Sequence, residues 1–252
     1  MCAKRRKLGA SRPLGTAFDW RLPMTISPRA PGTALHTILL DIDGTLLDSN
    51  DAHARAWGRA LAEHGYVVPY DEIRSRIGMG GDKLLPEVCG LDPESDEAER
   101  IGETRGEIFR RDELPALQPT PGARRLLEHL ASRDFELVVA TSAEADEVRA
   151  LLEQAGVADL IAAAASADDA ERSKPDPDIV LAAIRTVGRH ASHCVMIGDT
   201  PYDVEAATRA RVPFIALRTG GWSDDALAGA LAVYDDPADL LARIAESPLR
   251  ER

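Results

Sequence analysis

The chain has 252 residues, of which 44% are apolar and only 4% aromatic, and its formal net charge is -12. That length suits one large α/β domain or a domain carrying an insertion, with a core built mostly from Leu, Val, Ile and Ala. An acidic body repels nucleic acid and anionic membranes, no apolar run reaches membrane-spanning length, and the scattered Cys2, Cys89 and Cys194 lack disulfide-framework or zinc spacing, so a reducing cytoplasm is expected.

Residues 1–34 carry Lys4, Arg5, Arg6, Lys7, Arg12, Arg21 and Arg29 against a single acid, Asp19, in a Pro-, Gly- and Ser-rich context without periodicity. A disordered basic N-terminal extension is expected there. Met24 is a candidate alternative start, and no hydrophobic export region follows Arg5-Arg6.

The first buried strand is expected over 37–42, where the apolar run Ile38-Leu39-Leu40 ends in Asp41-Ile42-Asp43-Gly44-Thr45. In a parallel α/β sheet, ligands bind just outside the carboxyl ends of strands. Strand periodicity, if it continued, would point Asp41 and Asp43 to one side. Two such carboxylates repel unless a cation or a proton relieves them. The pattern suits a metal-assisted site with one carboxylate as nucleophile and the other as acid/base; the alternative is a solvated Asp-Gly turn.

Residues 50–115 show only helical periodicity, carried by Ala56, Leu61, Ile73, Ile77, Leu84, Val88, Ile101, Ile108 and Phe109. A helical cap is expected over that interval, placed after the first strand end to cover it. The core is then expected over 35–49 and 116–252. Its further strands fall at 136–141, 160–165, 194–198, 213–217 and 231–234, alternating with helices at 122–132, 144–155, 176–187, 201–210 and 237–245. Alternation of this kind implies right-handed crossovers and a doubly wound parallel sheet.

Three more strand ends or loops carry polar groups. Thr141-Ser142 offers a hydroxyl and backbone N–H groups to a phosphate oxygen, or simply caps a helix. Ser173-Lys174-Pro175-Asp176-Pro177-Asp178 fixes a lysine on a rigid loop, where it could stabilise a phosphoryl group. Asp176 or Asp178 is the expected cap of the next helix. Gly198-Asp199-Thr200 with Asp203 one turn later supplies oxygen ligands suited to Mg²⁺, or a helix cap. Cys194 opens an apolar run and reads as a buried thiol.

On Asp41-Ile42-Asp43-Gly44-Thr45, Thr141, Lys174-Pro175 and Gly198-Asp199-Thr200 with Asp203, the chain resembles the haloacid-dehalogenase-like superfamily of phosphohydrolases over about residues 36–246. The resemblance implies a Rossmann-like core with an inserted all-helical cap, and Asp41 as the nucleophile that forms an aspartyl-phosphate. Asp43 would protonate the leaving oxygen and then deprotonate water. Mg²⁺ would be held by Asp41, the main-chain carbonyl of Asp43 and Asp199, with Asp203 in support. Thr141 and Lys174 would bind the transferring phosphoryl, with Gly44, Thr45 and Ser142 beside it. Asp48 is assigned a turn or capping role.

Asn50-Asp51-Ala52-His53-Ala54-Arg55-Ala56-Trp57 is similar to the first cap helix of the phosphoglycolate-phosphatase and β-phosphoglucomutase branch. His53 falls at the mutase's hinge histidine, and Trp57 reads as cap packing. Gly81 stands about where the mutase carries its phosphate-binding arginine, and Lys83 could substitute in contacting substrate. The expectation is a Mg²⁺-dependent phosphatase acting on a small phosphorylated metabolite, without nucleic-acid or membrane partners, as a monomer or weak homodimer. The alternatives are a phosphosugar mutase or a non-catalytic binding or regulatory protein on the same fold.

Overall fold

The computed structural model describes residues 35–250, so the expectation for the basic extension lies outside the described residues. All six expected strands form: β1 Thr37–Leu40, β2 Glu136–Ala140, β3 Ala163–Ala165, β4 Cys194–Gly198, β5 Phe214–Leu217 and β6 Ala232–Tyr234. They make one parallel sheet in the order β3-β2-β1-β4-β5-β6. Leu39 pairs with Val138 on one side and Met196 on the other, so β1 is central. Every residue of β1 is buried, as a strand covered on both faces requires.

Period-2 alternation divides the core. Ile38, Leu40, Val139 and Ile197 face one layer with Leu126, Leu130 and Leu151, whereas Leu39, Val138 and Met196 face the other with Ile179, Ala183 and Phe214. The first layer comes from helices Ala123–Ser132 and Ala145–Gln154, the second from Asp178–Thr186 and Pro201–Arg209. Strand order reverses between β1 and β4, and in doubly wound sheets the crevice at that reversal takes the ligand.

Between β1 and β2 the chain is helical: α1 Asn50–Glu63, α2 Tyr70–Arg74, α3 Gly81–Cys89 and α4 Asp96–Ile108, with a π-helical turn at Phe109–Glu113. Trp57, Leu61, Ile73, Leu84, Ile101 and Phe109 bury the apolar stripe anticipated for them. The core helices named above become α5, α6, α7 and α8, and α9 is Pro237–Ala242. No helix among the described residues is long and apolar enough to cross a membrane.

Boundaries differ where local chemistry intervenes. β1 stops at Leu40 rather than 42, because the Ile42 carbonyl accepts the N–H groups of Thr45, Leu46 and Leu47 at 3.1, 2.8 and 3.1 Å. Gly44 closes that turn with φ +74°, a conformation glycine adopts without penalty. Neither Asp176 nor Asp178 caps α7. Its N-cap is Pro177 without a side-chain cap, and Asp176 is drawn off by Lys83 at 2.8 Å and Arg209 at 3.1 Å.

Candidate active site

Asp41 follows β1 directly and its N–H still donates to Ile197 O at 3.0 Å, which anchors it at the sheet's crevice. Lys174 is 1% exposed, and its Nζ lies 2.5 Å from Asp41 Oδ1 and 2.7 Å from Asp203 Oδ1. Asp203 turns its other oxygen to the Thr200 N–H at 3.1 Å and the Thr200 hydroxyl at 2.7 Å. This is a capping box that starts α8, so one acid both caps the helix and clamps the lysine.

Asp199, at the end of β4, accepts from Asn50 Nδ2 at 2.7 Å and from the Thr45 hydroxyl at 3.2 Å. A Cβ on Gly44 would lie 2.0 Å from Asp199 Oδ2, so glycine lets this carboxylate approach the β1 turn. Asp41, Asp199 and Asp203 each present an oxygen within 4.8 Å of the others'. Burial pushes the Asp41 carboxyl up to about 8, with Asp203 and Asp43 adding to the rise and Lys174 opposing it. Burial, then Asp203 and Asp41, also raises Asp199 well above the ordinary carboxylate range. Ionising all three buried acids against one lysine would leave unbalanced negative charge, which adds to burial in raising the two carboxyls. An all-oxygen donor set in that condition fits a hard divalent cation such as Mg²⁺.

Asp43 stands apart from this cluster. Its Oδ1 accepts from the Ser49 hydroxyl at 2.5 Å and meets His53 Nε2 at 2.8 Å. Burial raises its pKa, but His53 and the Ser49 hydrogen bond outweigh that and hold it below the ordinary value. His53 stacks on Phe109 with ring centroids 4.0 Å apart. Although β1 does not extend to Asp43, both aspartates line one cavity of about 50 Å³ together with His53, Trp57, Thr141 and Ser142. The Thr141 hydroxyl accepts the Ala143 N–H at 3.1 Å, and the Ser142 hydroxyl is buried without a hydrogen-bond partner.

The insertion closes over these groups. Gly80 N–H donates to the Ser173 hydroxyl at 3.1 Å, and that hydroxyl makes a short hydrogen bond to Asp82. Arg74 donates to Gly220 O at 3.0 Å, and the Tyr202 hydroxyl to Ser75 O at 2.5 Å. Residues 77–81 thereby form one wall of the cavity.

Lys83, Gly44 and Thr45 are not among the residues lining the cavity. Asp176 engages the Lys83 ammonium. Gly44 and Thr45 pack against Asp199 and fix its orientation. Of the two roles expected for Asp48, capping is not taken, since the N-cap of α1 is Ser49; Asp48 lies in the loop leading into the insertion, its N–H donating to Gln118 O at 3.0 Å.

The sequence reading missed Arg105 and Glu147. Arg105 on α4 donates to both oxygens of Glu147 on α6 at 2.8 Å, and its guanidinium lies 5.3 Å from the Trp57 ring centroid. Both line the cavity, 7% and 1% exposed. A signal existed: Arg105 sits four residues after Ile101 and Glu147 four before Leu151, so each interrupts an apolar stripe with a charge.

The fold and site together define a doubly wound α/β enzyme with a carboxylate–lysine centre at the strand ends, covered by a helical insertion. The sequence model of haloacid dehalogenase-like hydrolases matches residues 35–211, and the chain belongs to that family. It is 34% identical over 214 residues to a phosphoglycolate phosphatase of Rhodospirillum rubrum, covering 81% of this chain and 88% of that one. A crystal structure of a hydrolase from Pseudomonas syringae superposes with TM-score 0.77 at 33% identity, covering 84% of this chain and 98% of the other. β-Phosphoglucomutase from Clostridium difficile shares the fold, with TM-score 0.70 at 19% identity over 84% of this chain and 96% of that one. The chain is accordingly a phosphatase-type enzyme.

Proposed function

We propose that this enzyme hydrolyses the phosphate monoester of a small metabolite, with Asp41 as nucleophile and a divalent metal, Mg²⁺ by donor chemistry, as cofactor. The observation that carries the reading is the placement of Lys174 between Asp41 and Asp203 beside Asp199, next to a cavity that also holds Asp43. Asp41 Oδ attacks phosphorus while the ester P–O bond breaks, giving an aspartyl-phosphate. Asp43 would pass to the leaving oxygen the proton it shares with His53 Nε2 across their 2.8 Å contact, and then take one from the water that opens the intermediate. Lys174 holds Asp41 in line and offsets charge on the transferring oxygens, while the Thr141 hydroxyl and the N–H groups after it receive one of them. Asp41, Asp199, Asp203 and the main-chain carbonyl of Asp43 would hold the metal. When bound, it supplies further positive charge to the phosphoryl group.

The mutase alternative is disfavoured by Lys83 and Arg105, cations of the insertion that are neutralised by Asp176 and Glu147 instead of being free for a second phosphate. A purely binding role would not need this set of carboxylates, lysine and buried threonine. The test is phosphate release from p-nitrophenyl phosphate and a panel of sugar and glycolate phosphates. Asp41→Asn is expected to lower turnover by roughly 10⁴-fold or more without loss of fold, and EDTA to abolish it until Mg²⁺ is restored. Full turnover by the variant, or by chelated enzyme, refutes the assignment.

A further inference from the structure

A second cavity of about 490 Å³ adjoins the first, sharing Trp57, Gly80, Gly81, Arg105 and Ser142 in its lining. It is the larger space open to the alcohol half of a substrate whose phosphoryl group lies at Asp41. Its charge is one-sided. Asp82, Glu99, Glu103, Glu144 and Glu171 line it, and Arg105 is the one Lys or Arg among its described lining residues.

Arg105 is not available to a substrate anion. Its guanidinium is bound at 2.8 Å to both oxygens of Glu147, with Glu144 a further 3.7 Å contact. Glu147 is 1% exposed, so displacing it would strand an unpaired carboxylate in the interior. Arg110, the other cation near Glu147, is 3.8 Å from it and largely exposed. Glu99 and Glu103 lie four apart on α4 and so on one face of it. The chamber's negative field is therefore set by acids of both the insertion and the core, and the one arginine among its described lining residues is already paired.

Two buried polar atoms at the junction of the cavities indicate what the chamber accepts. Arg105 is more than nine-tenths buried, yet its Nε has no hydrogen-bond partner, and neither has the Ser142 hydroxyl. Both residues line both cavities. A buried donor and a buried hydroxyl left unmade each cost free energy, and substrate hydroxyls can satisfy both.

Resting on the phosphatase reading above, we infer that the enzyme selects phosphate esters of hydroxylated alcohols that bear no second anionic group, with amine-bearing alcohols preferred. Glu99, Glu103 and Glu171 are the specificity-determining rim, acting by electrostatic focusing rather than by contact with the reacting atoms. An anionic leaving alcohol meets a negative chamber without a free cation, whereas an ammonium group is drawn in.

The test compares three esters of equal length: glucosamine 6-phosphate, glucose 6-phosphate and 6-phosphogluconate, with p-nitrophenyl phosphate as a control. At low salt, kcat/KM should fall in that order, by roughly tenfold or more from first to last. The spread should narrow at ~0.5 M salt, and again in the Glu99→Gln/Glu103→Gln/Glu171→Gln variant, in which kcat/KM for 6-phosphogluconate should rise more than that for p-nitrophenyl phosphate. If 6-phosphogluconate matches or exceeds glucose 6-phosphate, or the ranking ignores both salt and the variant, the inference is overturned. Turnover of the control with none of the three esters overturns it too, since the chamber should admit the neutral sugar. Failure to release phosphate even from the control would instead remove the phosphatase reading, and the inference with it.

Discussion

His53 Nε2 meets Asp43 Oδ1 at 2.8 Å, and the same imidazole is stacked on Phe109. A residue at the start of the helical insertion thus sets the charge state of an aspartate in the β1 turn. Burial alone would raise the Asp43 pKa, and His53 is the first of the groups that bring it down. His53→Ala should therefore move the acid limb of the pH–kcat profile to higher pH, because Asp43 holds its proton longer. It should also lower kcat by roughly ten- to a hundredfold, the usual cost of losing an orienting partner. An unmoved acid limb would show that the pair does not govern the titration.

Gly44→Ala tests the close approach of Asp199. The added Cβ would lie 2.0 Å from Asp199 Oδ2 and 2.2 Å from Asn50 Nδ2, on a backbone with φ +74°. The left-handed backbone alone should cost about 1–3 kcal/mol, and the forced movement of Asp199 should weaken Mg²⁺ binding by roughly ten- to a hundredfold. Denaturant melts and calorimetric titration of the metal check the two effects separately.

Breaking the buried pair between α4 and α6 should be costly. Glu147→Gln leaves the Arg105 guanidinium buried beside a neutral amide and should destabilise the fold by about 3 kcal/mol in urea titration. Arg105→Met combined with Glu147→Leu should recover most of that, since neither charge is then left unpartnered. A double variant no more stable than Glu147→Gln would refute this account.

Cys194 gives an alkaline signature. Burial pushes its thiol from an ordinary value near 9.0 up to about 11, so the folded state favours the neutral form. A raised folded pKa contributes stability that is complete below pH 9 and is lost as pH rises through 11. Wild type should lose about 2 kcal/mol more than Cys194→Ala across that window, measured as unfolding free energy at each pH.

How much of this was legible in the sequence follows from the range of the forces involved. Ile38-Leu39-Leu40 and Val138-Val139-Ala140 announce buried strands because a strand covered on both faces is apolar along its length. Strand ends were overestimated at Asp41-Ile42 and at 160–162, where turn hydrogen bonds and a 3-10 turn at Ala158–Leu160 take over from the ladder. Composition does not encode that competition.

The sequence by itself determined the alternation of strands and helices, the helical insertion after the first strand, and the residues that cluster at the strand ends. These depend on local periodicity and on motifs a few residues long. Only the tertiary structure decided which charges are spent on one another. Lys83 goes to Asp176, Arg105 to Glu147 and Lys174 to Asp41, contacts that span up to 133 positions in the chain. Such pairings are settled when the packed helices and sheet bring distant side chains together out of water. A buried charge must then take whichever partner the fold presents.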